Sequence, residues 1–185
     1  MSEARQEGQR EMSAEMFDAI ETHVEERRAY ITEMAMRLVA LQQSPIEEKM
    51  ALAMLANPLA SLAFLAVQSE LPDANRTGLF IVPQLQIGRY RADFAIVMQT
   101  DGHAIRLVVE CDGHDFHERT KEQAAHDKAR DRYFLEKQWP VMRFTGSEIH
   151  KNADKCAHQV MLYLLRIIAR GEGKEHVVEA LEWGR

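Results

Sequence analysis

With 185 residues, the chain is long enough for one well-buried domain plus an appended element, and too short for two full domains; 46% hydrophobic and 28% charged residues are the balance of a soluble globular protein. The formal charge of −6 is unevenly spread: residues 1–26 hold eight acids and two bases, which leaves 21 of each for residues 27–185, a neutral body that can still present a basic face. The polar start lacks an apolar stretch and the two cysteines, Cys111 and Cys156, are far apart, so the sequence reads as having neither a secretory signal nor a disulfide framework and predicts a cytoplasmic protein.

Residues 11–42 contain no Gly or Pro, and Phe17, Ile20, Val24, Ile31, Met34, Leu38 and Leu41 fall at a and d of a seven-residue repeat, with Arg27 the misfit. This predicts one long helix, its stripe buried either against a second copy, as a homodimer, or against its own domain. Residues 1–43 are thus a helical extension and 44–185 the main domain. Ser44-Pro45 opens the next helix, with Ser as the cap and Pro at the first helical position. Met50 to Val67 is apolar enough to suggest a membrane span, but Asn57-Pro58 interrupts it and a span needs about 20 predominantly apolar residues. Two short buried helices, near 44–56 and 58–68, and no membrane contact are expected instead.

From Leu79 the pattern turns to strands: LFIVPQLQIGRYRADFAIVM, a turn at Asp101-Gly102, then AIRLVVECD. A charged helix over 118–138, a short strand in WPVMRF and a final helix near 153–170 complete the chain.

Asp-Gly is the favoured pair for a two-residue hairpin turn, because both central positions need positive φ. With Asp101-Gly102 as the turn, Thr100 pairs with His103 and Asp93 lies opposite Glu110. One face of this hairpin then gathers Ala92, Phe94, Ile96, Met98, Ile105, Leu107, Val109 and Cys111, all apolar, while the other carries Asp93, Ala95, Val97, Arg106, Val108, Glu110 and Asp112, with Arg91 opposite Asp112. A one-residue slip would destroy both sets. Two opposed carboxylates repel, and a hard divalent cation such as Mg²⁺ offsets that repulsion. Pairing of the acids with Arg91 or Arg106, as a plain salt-bridge cluster, is the alternative on pattern alone.

The segments QIGRYRADFAIV, LVVECDGHDFH and HDKARDRYFLEKQWPVMRFTGSEI together resemble the PD-(D/E)XK nuclease superfamily, and within it the small bacterial branch akin to the very-short-patch-repair endonuclease. The resemblance spans roughly residues 44–160. It implies an α/β restriction-endonuclease-like core, αβββαβ, with a central mixed sheet flanked by helices, and Mg²⁺- or Mn²⁺-dependent hydrolysis of phosphodiester bonds in DNA. Carried over residue by residue, Asp93 and Glu110 are the metal-binding acids and Glu47 the helical glutamate; the plain reading of Glu47 is a first-turn acid favoured by the helix dipole. The pattern departs at Asp112, where the family has a lysine two positions after the glutamate. Asp112 is then either a third metal ligand or leaves the lysine's role to His114, His117, Lys121 or Lys128. His117 has a pKa range suited to proton transfer. Arg130 and Arg143 are placed to contact phosphate or to fix an acid; for Arg130, ion pairing with Asp127 and Asp131 along its helix is the simpler account. A zinc site from Cys111, His114, His117 and His126 is opposed by strand alternation, which turns Cys111 away from Glu110 and Asp112. The competing functional expectation is a nuclease fold without catalysis, binding nucleic acid or a protein.

Overall fold

The computed structural model describes residues 3–57, 59, 65–67, 69–100, 103–113 and 121–172. The chain divides into two compact units, Met1–Met36 and Arg37–Arg185. The first is most of one long helix, α1 (Glu3–Ala40). On its heptad stripe Val24 and Ile31 are exposed; the side chains of Phe17 and Ile20 lie outside the described residues.

The second unit holds α2 (Pro45–Ala56), β1 (Leu65–Val67), β2 (Gly78–Pro83), β3 (Gln86–Ile87), β4 (Tyr90–Arg91), β5 (Phe94–Thr100), β6 (His103–Asp112), α3 (Lys121–Glu136), β7 (Val141–Thr145) and α4 (Gly146–Glu172). Five strands form a mixed sheet in the order β1-β2-β5-β6-β7, and β3 and β4 make a separate small hairpin. The α/β core with helices around a mixed sheet and a helical N-terminal region is the architecture expected from the sequence.

The register is also as expected. Phe94 pairs with Val109, Ile96 with Leu107 and Thr100 with His103. Residues 101 and 102, the expected turn, lie outside the described residues. β7 then adds parallel to β6, Glu110 beside Arg143 and Asp112 beside Thr145, after the α3 crossover that parallel neighbours require. Phe94, Ile96, Leu107 and Val109 are fully buried on one face, and α2 and α4 pack on each other and on β6. Ala95, Val97 and Val108 point to the other face, where they cluster with Phe134 of α3, Trp139, and Ile87 and Tyr90 of the hairpin. Trp139 packs at the entry to β7, as its place beside Pro140 suggests.

Two sequence expectations need correction. The short helix near 58–68 is not formed at 65–67, where the backbone pairs as a parallel strand with Leu79–Ile81. A short apolar run has the same pattern in a buried helix and in a buried strand, and periodicity does not separate them. Arg91 does not oppose Asp112, because the long hairpin begins only at Phe94 and Arg91 belongs to β4, paired with Gln86. The final helix follows Asn152 as expected; a short helical segment from Gly146 precedes it across a break in the dihedrals at Asn152, whose side chain caps the longer segment by accepting the Lys155 amide at 2.9 Å. Thr145 and Glu148 form a reciprocal capping box for the first turns, a T-x-x-E signal legible in the sequence.

The β3–β4 turn is held against α3 at Gly88. Its φ is +59°, and a Cβ there would lie 1.8 Å from the Tyr133 hydroxyl oxygen. Gly88→Ala is expected to destabilise the protein by about 1 kcal/mol for the backbone alone, and by more once Tyr133 is displaced. A urea midpoint unchanged from wild type would contradict this packing.

Candidate active site

The acidic residues meet at one end of the central sheet. Asp93 precedes β5 directly, and its Oδ2 accepts the Cys111 amide at 2.8 Å, which ties it to the strand that carries Glu110 and Asp112. Glu110 is almost completely buried, with 2% of its surface exposed. Burial first, and then the neighbouring Asp93, push its carboxyl up to about 8 against the pull of Arg130 and Arg143. Asp93 is also raised, first by burial and then by Glu47, against the amide bond from Cys111.

Glu47 reaches this cluster from α2. Ser44 caps that helix as predicted: its Oγ accepts the Glu47 amide and donates to Glu47 Oε1 at 2.9 Å, while Oε2 accepts the Gln43 amide at 3.0 Å. The simple reading of Glu47 as a first-turn acid is therefore correct but incomplete. It is buried, and it acts electrostatically on Asp93.

Gln84 links the two acids and was not singled out by sequence reasoning. Its Nε2 donates to Glu47 Oε2 at 2.9 Å, and its amide donates to the Asp93 carbonyl at 2.9 Å. Its φ of +54° is unusual for a residue with a side chain, and such conformations gather at functional sites. Pro83-Gln84 between two apolar runs was the available signal for a turn; the positive φ left no trace in the residue type.

The cations that meet the acids are Arg130 and Arg143. Neither Arg91 nor Arg106 fills that place: Arg91 donates to Gln43 Oε1 at 2.8 Å, and Arg106 lies over the Trp139 ring. Arg130, from α3, places Nη2 at 2.9 and 2.7 Å from the two Glu110 oxygens and also donates to the Arg91 carbonyl. Arg143, from β7, bridges Asp112 at 3.2 Å and Asp131 at 2.5 Å. The helical spacing of Asp127, Arg130 and Asp131 thus serves the sheet end for its last two members. Lys128 is exposed on α3. His114, His117 and the Lys121 side chain lie outside the described residues.

Among the described residues no group of three His, Cys, Asp or Glu side chains is arranged to hold a metal ion. Asp93 and Glu110 alone match the donor set of a hard cation that completes its shell with water and phosphate oxygens. Burial first, and then the surrounding carboxylates, push the Cys111 thiol far up, so it keeps its proton; that opposes its use as a zinc ligand or nucleophile. No helix among the described residues is long and apolar enough to cross a membrane.

A model of the restriction endonuclease-like family REase_MTES_1575 matches residues 66–164, just over half of the chain, including every residue described at this site except those of α2 and the linker before it. None of the curated proteins and none of the solved structures compared matches the chain.

Proposed function

The chain belongs to the restriction endonuclease-like family REase_MTES_1575, and from that premise we propose that it is a Mg²⁺- or Mn²⁺-dependent endonuclease of the PD-(D/E)XK type, close to the very-short-patch-repair branch, acting on DNA. The observation that carries this reading is the half-buried Asp93 acting on the buried Glu110 at the sheet end. Both have raised carboxyls, and like charges at close quarters need a cation to be stable when ionised.

Asp93 and Glu110 would hold the ion, which when bound polarises a phosphate oxygen and makes water a better nucleophile. The chain's own residues do the rest. The Cys111 amide and the Gln84 backbone fix Asp93. Glu47 and Gln84 brace the entrance from α2. Arg130 supplies a positive charge directly on Glu110, and we assign to it the part the family's lysine plays, since Asp112 cannot supply one. Arg143 holds Asp112 in place, so that Asp112 orients water or joins the ligand set only by exchanging that partner. His117 remains the proposed proton carrier.

The test is incubation of plasmid and single-stranded DNA with Mg²⁺, Mn²⁺ or EDTA, alongside titration of Mn²⁺ by calorimetry into wild type and Asp93→Ala. Cleavage with metal, none in EDTA, and a binding heat absent from the variant are expected. Because ligation needs ionised carboxylates, the heat should be larger at pH 8 than at pH 6. One observation favours a second reading, a non-catalytic binding module: arginines already neutralise Glu110 and Asp112. No cleavage with either metal and no binding heat would support that reading.

A further inference from the structure

Beside the acids lies an open cleft of about 610 Å³, lined by Arg89, Tyr90, Arg91, Asp93, His126 and Arg130. Three guanidinium groups face one carboxylate, in a chain whose formal charge is −6. Arg130 is engaged with Glu110, which leaves Arg89 and Arg91 as the basic groups of the outer cleft.

The two hairpin arginines are positioned by neutral groups among the described residues. Arg89 stacks over Tyr90 at 5.0 Å and over Tyr133 at 5.4 Å, which orients its guanidinium. Arg91 is held by the neutral Gln43 amide. Among the described residues neither pairs with a carboxylate, and both side chains are exposed. The hairpin that carries them is set rigidly, since Gly88 lets its turn press on Tyr133 and Tyr90 packs edge-on to His126 at 5.5 Å. Arg130 and Asp93 close the end of the cleft nearest Glu110.

We infer that this cleft is the track for the phosphodiester backbone of the DNA strand being cut, with Arg89 and Arg91 each gripping a phosphate that flanks the scissile one. The inference rests on the nuclease reading and adds the surface that binds the substrate. Planar guanidinium groups match phosphate oxygens in pairs, and Arg91 has further N–H groups beside the one given to Gln43. The cleft wall offers charge and aromatic faces and so binds without reading bases, which makes the grip independent of sequence and steeply dependent on salt.

The test is fluorescence anisotropy with a labelled 20-base-pair DNA duplex in EDTA, which makes it independent of metal and cleavage. For Arg89→Gln and Arg91→Gln, affinity should fall several-fold, and the slope of log affinity against log salt should flatten by about 0.9 for each phosphate no longer gripped. The double variant should show both decrements, Arg91→Lys should keep its slope, and Arg132→Gln, exposed on α3 outside the cleft, should behave as wild type. Thermal midpoints of these variants check that all are folded. Slopes unchanged in the folded double variant overturn the cleft assignment, as does preference for an RNA duplex of the same sequence. A wild type that binds through these arginines but cuts nothing with Mg²⁺ or Mn²⁺ leaves the cleft standing and removes the nuclease reading instead.

Discussion

Glu110→Gln is expected to lower the cleavage rate by about a thousandfold or more, worth about 4 kcal/mol in the barrier, while leaving a folded and at higher pH a more stable protein. The amide keeps the shape of the carboxylate but cannot ligate a hard cation through two anionic oxygens. The gain in stability comes from the raised carboxyl. In the folded protein Glu110 titrates near 8, against 4.5 for an unperturbed glutamate. Between those two values the folded state holds a proton that the unfolded state has released, so wild-type stability falls as pH rises, on the order of 1.4 kcal/mol per pH unit at most. Below that window the group is neutral in both states; above it, ionised in both, with the full cost present. Asp93 is shifted in the same direction and adds to the slope. Urea unfolding in the absence of metal at pH 5, 6.5 and 8 should show this decline in wild type and a shallower one in Glu110→Gln. Full cleavage by the variant, or equal slopes, would refute the role given to Glu110.

Arg130→Met should produce the second largest effect, and its pH dependence separates it from simple loss of packing. The substitution keeps an unbranched apolar stem beside Phe134 but removes the guanidinium from Glu110. A buried carboxylate stripped of its partner costs about 3–5 kcal/mol when it must stay ionised. Here it can take up a proton, since Arg130 is one of the two groups that hold its carboxyl down. The variant should therefore lose little stability at pH 6 and several times more at pH 9. Cleavage should drop by about two orders of magnitude if Arg130 stands in for the missing lysine. Arg130→Lys, which keeps the charge, should recover part of both. Loss of stability equal at pH 6 and pH 9 would mean that the guanidinium only packs.

The hairpin was legible in the sequence because three local signals agree. Asp101-Gly102 proposes the turn, alternation separates an unbroken apolar face from one that carries the charged residues among Ala95, Val97 and Val108, and a slip of one residue would mix the two. The ladder has that register from Phe94–Val109 to Thr100–His103 and stops one residue short of Asp93, which is tied to β6 instead by the Cys111 amide. Ser44 as a cap and Pro45 as the first helical residue are likewise local chemistry. The resemblance to nucleases rested on the same stretch, and the family match covers it.

The tertiary structure alone decided the pairings between residues far apart in the chain. That Arg130 and not Arg91 meets Glu110 depends on where α3 lies over the sheet, and α3 offers both Arg130 and Arg132. Gln84, a residue with no chemical distinction in the sequence, becomes a link between Glu47 and Asp93 because a backbone turn with positive φ brings its amide and side chain to both. The strand at 65–67 exists because β2 offers it a parallel edge; its own apolar residues suit a helix as well. Alternation and capping act over a few residues and are written in the order of the chain. Ion pairing at the site and strand addition depend on distances that only the packed fold sets, and for those the sequence holds the participants without their partners.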